Sequence, residues 1–143
     1  MPRATVLIVE DSPDISQPLA DAFRFADFEA LVAADALQGL QLASERKPDL
    51  IIMDIQLPGL DGLSAARMVK ADPATRHIPI VAMTAHEIVG TQAKAIGRDC
   101  MAYAQKPVRP RELINLACAI LKLSADPPSP RRPATDRKPT PPR

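Results

Sequence analysis

Four short apolar runs recur along the chain with longer amphipathic stretches between them: TVLIV (Thr5 to Val9), LIIM (Leu50 to Met53), IPIVAM (Ile78 to Met83) and MAYA (Met101 to Ala104). A weaker run, EALVAA (Glu29 to Ala34), falls between the first two. This alternation constrains the fold more than any other feature. Runs that are apolar at nearly every position fit strands covered on both faces, which is the condition of a parallel sheet. Parallel neighbours need long crossovers, and the intervening stretches have the length and pattern of helices. The pattern predicts an α/β chain: a doubly wound five-stranded parallel sheet with helices on both faces.

The helical signals differ in kind. Ala36 to Arg46 (ALQGLQLASER) sets Leu37, Leu40 and Ala43 on one face, and Lys47-Pro48 closes it. Pro110 to Leu123 opens with a proline where a first turn tolerates one, then runs Leu113, Leu116, Ala117, Ile120 and Leu121. The first stretch, DSPDISQPLADAFRFA, offers Ser12 as a cap and Pro13 in the first turn. Pro18 then either kinks the helix or delays its regular start to about Gln17.

A chain of 143 residues suits one domain, and 46% hydrophobic residues suffice for a core. With only 3% aromatic residues, that core must be aliphatic and alanine-rich. A net charge of +1 argues against a dedicated nucleic-acid binder, whose phosphate contacts demand a basic excess. The charge is uneven: residues 124–143 hold five Lys/Arg and two Asp, whereas residues 1–123 carry 13 basic and 15 acidic residues. From Asp126 the chain also holds seven of its 16 prolines and no large apolar residue. Such a segment cannot bury enough surface to offset its ordering entropy. The expected organisation is a domain over residues 1–123 and a disordered, proline-rich basic tail over residues 124–143. The PxxP spacings at Pro127 to Pro130 and Pro130 to Pro133 arise easily in so proline-rich a tail.

No apolar run approaches the roughly 20 residues of a membrane span, and MPRATVLIVED lacks a signal-peptide layout. The expected location is cytoplasmic, without a membrane partner. Cys100 and Cys118 have no metal-ligand spacing and read as small apolar filler rather than as a disulfide or reactive thiols.

The polar residues at the ends of the runs carry the chemistry. The first strand is followed by Glu10-Asp11, the third by Asp54, the fourth by Thr84 and the fifth by Lys106. In a right-handed parallel sheet these ends emerge at one edge, where open α/β sheets place their ligands. Three carboxylates in one crevice repel each other unless a cation intervenes. Oxygen-only donors of this type suit Mg²⁺, which takes one or two carboxylates and keeps waters for an incoming phosphate. Lys106 adds a point charge and Thr84 a hydroxyl donor, the groups wanted around a phosphoryl oxygen. Singly, each has an ordinary explanation: Asp11 as a helix cap, Thr84 bonded to its own backbone, Lys106 as a surface charge. Together they describe a phosphoryl-transfer site with Asp54 as a possible nucleophile.

With these residues placed, the sequence resembles the receiver domain of two-component response regulators, from about Thr5 to Leu123. The residues that carry the resemblance are LIVED with Glu10-Asp11, PDLIIMDIQLPGLDG around Asp54, HIPIVAMTA ending in Thr84-Ala85, and YAQKP with Lys106-Pro107. It implies a flavodoxin-like sheet of strand order 2-1-3-4-5. It also implies that Asp54 accepts a phosphoryl group from a histidine kinase or histidine phosphotransfer protein. Asp11 and Asp54 would bind Mg²⁺, with Glu10 acting through a metal-bound water and Gln56 through its backbone carbonyl. Lys106 would pair with the phosphoryl oxygens and Thr84 would hydrogen-bond one of them. Ala85 would leave room for its approach, and Tyr103 would match the aromatic switch. Gln56 and His86 would tune phosphoryl lifetime.

The face of the fourth helix, fifth strand and fifth helix, roughly Ile88 to Leu123, would meet a downstream protein. The chain would act as a monomer or a phosphorylation-dependent dimer, without touching nucleic acid directly. Three positions depart from the family pattern: Pro18 in the first helix, Asp99 in the turn before the fifth strand, and His86 two residues after Thr84. His77 reads as a loop or strand-entry residue. A haloacid-dehalogenase-like phosphatase would place its nucleophile after the first strand in a DxD pattern, and VEDSPD does not provide it. The remaining alternative is a pseudo-receiver, a docking module that signals without stable phosphorylation.

Overall fold

The computed structural model describes residues 2–85, 87 and 89–123. The tail assigned to residues 124–143, and His86 and Ile88, lie outside the described residues. Along the chain the elements are β1 (Thr5–Val9), α1 (Pro13–Phe25), β2 (Glu29–Ala33), α2 (Ala36–Arg46), β3 (Leu50–Asp54), α3 (Gly62–Ala71), β4 (Ile80–Thr84), α4 (Gly90–Asp99), β5 (Ala102–Gln105) and α5 (Pro110–Leu121). The strands form one sheet in the order β2-β1-β3-β4-β5, and every neighbouring pair is parallel.

The pleat splits each apolar run between two layers, because successive side chains point to opposite faces. Val6, Ile8, Leu50, Ile52, Val81 and Met83 pack with Leu19 and Phe23 of α1 and Leu113 and Ala117 of α5. Leu7, Val9, Ile51, Met53 and Ile80 pack on the other face with α2 and α3. Ile96 of α4 completes that side against Ala82 and Ile55. The continuous apolar reading of the strands therefore reflects two cores, one per face.

Small residues bring α2 close to the sheet: a Cβ on Gly39 would lie 2.8 Å from Val9 Cγ2. The aromatic residues are used where they are few, with Phe23 and Phe28 packed edge to face at 5.1 Å. Asp35 and Asp61 cap α2 and α3, each accepting a backbone N–H at 2.8 Å from Gln38 and Ser64 respectively. Each cap satisfies a donor that a helix start would otherwise leave unpaired.

Several sequence expectations shift. The first helix starts at Pro13, with Pro18 inside it. A proline there removes one backbone bond, to the carbonyl of Asp14, and both residues are exposed, so water can take the partner's place. Leu37 is 68% exposed, and the buried face of α2 is Ala36, Gly39 and Ala43. The helix lies too close to β1 for large side chains on that face. β4 starts at Ile80, leaving Ile78 buried in the preceding loop, while Met101 lies before β5 and is exposed. β2 ends at Ala33, and α5 ends at Leu121 with Lys122 in the left-handed region. Asp99 closes α4 instead of forming the following turn; it is buried and pairs with Arg98 at 3.0 Å. Among the described residues no helix is long and apolar enough to cross a membrane. Cys118 is buried and Cys100 partly so, and neither is in a disulfide. Burial pushes the Cys100 thiol up to about 11, with Asp99 adding to the effect and Lys70 opposing it.

Candidate functional site

The carboxyl ends of β1, β3 and β4 and the residue after β5 converge at one edge of the sheet. Asp54 is the last residue of β3, opposite Met83 in the ladder and 1% exposed. Glu10 follows β1 and continues its pairing, donating its N–H to the Ala33 carbonyl at 3.0 Å. Thr84 ends β4, fully buried, and its carbonyl accepts the Lys106 N–H at 2.7 Å. That backbone bond fixes where the Lys106 side chain starts.

From there the Lys106 ammonium reaches two carboxylates. Nζ donates to Asp54 Oδ2 at 2.9 Å and lies 2.9 Å from Glu10 Oε1. The second contact is a short ion pair to a buried oxygen. The remaining oxygens are held by backbone: Asp54 Oδ1 accepts the Gln56 N–H at 2.9 Å, and Glu10 Oε2 accepts the Ser12 N–H at 3.0 Å. Ser12 thus serves the site through its N–H. It makes no side-chain cap to α1.

Burial raises the Glu10 carboxyl above the ordinary glutamate range; Lys106 and the Ser12 N–H oppose that rise, and Asp54 adds to it by repulsion. For Lys106, burial works to lower the ammonium, but the hydrogen bonds and charges of Asp54 and Glu10 outweigh it and hold the group above the usual lysine value. The three groups therefore set two carboxyl groups against one ammonium in a partly dry crevice. A single cation leaves the cluster short of positive charge.

Exposed Asp11 completes the acidic group, since Glu10, Asp11 and Asp54 offer carboxylate oxygens within 4.8 Å of one another. All are hard oxygen donors, and the flank at exposed Asp11 opens to solvent. These features fit a hydrated Mg²⁺. Beside Lys106 a cleft of about 470 Å³ opens between α1 and the start of α5, lined by Ile15, Pro18, Leu19, Pro107 and Val108.

Of the residues singled out from sequence, Glu10 and Asp54 meet Lys106 directly, Asp11 lies with the two carboxylates, and Thr84 joins through its backbone. Tyr103 is 54% exposed on β5, where it lines a separate cleft with Val108, Glu112 and Leu116. His77 is an exposed loop residue, as expected. His86 lies outside the described residues.

Two contacts were not anticipated. A Cβ on Gly62 would fall 2.0 Å from the Asp54 carbonyl oxygen, so the start of α3 approaches β3 as only glycine allows. The Asp61-Gly62 dipeptide at a helix start was the available signal. The Gln56 side chain crosses to the neighbouring loop, where its Oε1 accepts the Ala85 N–H at 3.1 Å. No local pattern announces a contact between residues 29 apart.

Known proteins resemble this chain in sequence and fold. Residues 6–117 match the family model described as the response regulator receiver domain. The polar-differentiation response regulator DivK of Brucella anthropi is 38% identical over 108 residues, covering 76% of this chain and 87% of that protein. A putative response regulator from Chloroflexus aurantiacus superposes with a TM-score of 0.77 at 31% identity, covering 85% of this chain and 99% of that one. The receiver domain of a sensor histidine kinase from Pseudomonas aeruginosa, whose structure has a magnesium ion coordinated in the active-site cleft, superposes at 0.74 with 30% identity over 81% of this chain and 95% of its own.

Proposed function

The chain belongs to the response regulator receiver family of two-component signalling, and from that premise we propose that Asp54 is its phosphoryl acceptor, supplied by a phosphohistidine on a histidine kinase or phosphotransfer protein. The observation that carries this reading is the Lys106 ammonium set 2.9 Å from both Asp54 and Glu10 at the end of a buried strand. An Asp54 oxygen attacks phosphorus in line with the departing imidazole; the P–O bond forms, the P–N bond breaks, and the imidazole nitrogen recovers its electron pair. Lys106 turns from the carboxylate toward the phosphoryl oxygens as negative charge moves onto them. Thr84 offers its hydroxyl to one of these oxygens, and small Ala85 leaves room for it.

Asp11 and Asp54 would hold Mg²⁺, with the Gln56 backbone carbonyl as a third donor and Glu10 acting through a bound water. When bound, that ion offsets charge on the transferring group. Gln56 and His86 set how readily water reaches the phosphoryl group and so its lifetime. The added charge biases Thr84 and, through it, Tyr103, and the face of α4, β5 and α5 reports the change to a protein partner. Val89, Met101 and Tyr103 leave apolar surface exposed on that side, as a docking face requires. The chain then works as a monomer or as a phosphorylation-dependent dimer.

Incubation with acetyl phosphate tests the reading by intact mass. The expected result is a Mg²⁺-dependent gain of one phosphoryl group that Asp54→Asn abolishes. A folded, Mg²⁺-binding protein that gains nothing from either acetyl phosphate or phosphorylated kinases would be a docking module instead.

A further inference from the structure

Gln56 holds both sides of the crevice at once. Its backbone N–H donates to Asp54 Oδ1 at 2.9 Å, while its side-chain Oε1 accepts from the Ala85 N–H at 3.1 Å. The first bond ties the loop after β3 to the carboxylate; the second ties that loop to the first residue beyond β4. Thr84, fully buried, stands immediately before the tied residue. One residue, through its backbone and its side chain, thus joins the acceptor residue to the segment that would respond to it.

We propose that the Gln56 side chain is a latch: it occupies the Ala85 N–H in the resting protein, and phosphorylation of Asp54 releases it. The inference rests on the reading of Asp54 as the acceptor. Esterification of one Asp54 oxygen removes charge from the carboxylate, and the Gln56 N–H loses much of the acceptor that positions it. At the same moment anionic phosphoryl oxygens arrive at the end of β4. A charged acceptor forms hydrogen bonds roughly twice as strong as a neutral amide oxygen does, so the Ala85 N–H exchanges Gln56 Oε1 for the phosphoryl group. Release of this N–H frees the residue next to Thr84 to move. Gln56 is on this account a positioning residue whose bond opposes activation.

The test follows the Ala85 amide by NMR in uniformly ¹⁵N-labelled wild type, Gln56→Leu, which has no acceptor, and Gln56→Glu, which restores one. In the resting protein, exchange of the Ala85 amide with water should be about fivefold faster in Gln56→Leu, the factor expected for one ordinary hydrogen bond. It should return toward the wild-type rate in Gln56→Glu. The Lys106 amide, bonded to the Thr84 carbonyl, serves as the control and should not change. Beryllofluoride with Mg²⁺ then serves as the phosphoryl mimic, and Gln56→Leu should load at a midpoint about fivefold lower than wild type because it has no latch to break.

An unchanged Ala85 exchange rate in Gln56→Leu overturns the latch. So does faster exchange with an unchanged loading midpoint, because the bond would then not oppose activation. A wild-type protein that takes up no beryllofluoride overturns the Asp54 reading and the release step with it. That failure is told apart from a failed latch by the exchange rates, which need no loading.

Discussion

β3 and β5 reach the same edge of the sheet, and each delivers a charged group to the same crevice, yet they are built unlike each other. All five residues of β3 are buried and the strand has neighbours on both sides. β5 is the sheet's edge, four residues long, with Tyr103 and Gln105 exposed and Ala102 and Ala104 only partly covered. Asp54 is therefore anchored by a strand that cannot shift without disturbing both cores. Lys106 and Tyr103 hang from one that can. Local stability follows buried apolar contact, so the difference makes the Asp54 side fixed and the Lys106 side yielding.

The most direct way to break this contrast is to truncate one residue on each strand. Ile52→Ala should cost about 4 kcal/mol, because Ile52 is fully buried between layers, whereas Tyr103→Ala should cost under about 1 kcal/mol. Urea denaturation of both variants checks this, and equal losses would remove the distinction.

Lys106→Ala comes next, at about 3 kcal/mol near pH 8, since it strands two buried carboxylates without their cation. Its pH dependence sharpens the point. The Glu10 carboxyl already stands above its ordinary value of 4.5 in the folded protein. A raised folded-state value means that protonation favours folding, and this contribution is full below 4.5 and lost as pH rises through the folded value. Without Lys106 the value rises further, so the variant's deficit should shrink as pH falls toward 4.5. A deficit that does not change with pH would mean that charge is not its cause.

A pair of glycine substitutions makes the smallest test. Gly62→Ala forces a methyl group onto the Asp54 backbone and should cost about 2 kcal/mol. Gly97→Ala, inside α4 with open space around it, should stabilise the fold by roughly 0.5–1 kcal/mol. Thermal melts of the two should move in opposite directions. A loss in Gly97→Ala would show that α4 is less free to accept a side chain than its surroundings suggest.

The sequence disclosed the element order because parallel strands buried on both faces must be apolar throughout. α2 is found at the bounds its pattern indicated, Ala36–Arg46. It disclosed the acidic group and Lys106 because strand ends carry their residues to a common edge whatever the loops do. Leu37 misled for a definable reason: hydrophobic periodicity locates a helix face but does not say how near the sheet lies, and Gly39 brings α2 too close for leucine. Asp99 misled because its pairing with Arg98 lets a carboxylate end a helix inside the protein. Gln56 to Ala85 was hidden altogether, since that contact depends on two loops whose separation no periodicity encodes.

The state of the two cysteines has a practical consequence. Cys118 is buried, and burial holds the Cys100 thiol at about 11, so little of it is thiolate at pH 7. A maleimide dye added to the folded protein will therefore find little to attack. A cysteine introduced at an exposed site such as Lys94 on α4, as Lys94→Cys, would become the preferred labelling point without first deleting either native thiol. A reporter could then be carried on the helix beside β5, leaving the cores on both faces of the sheet with their natural packing.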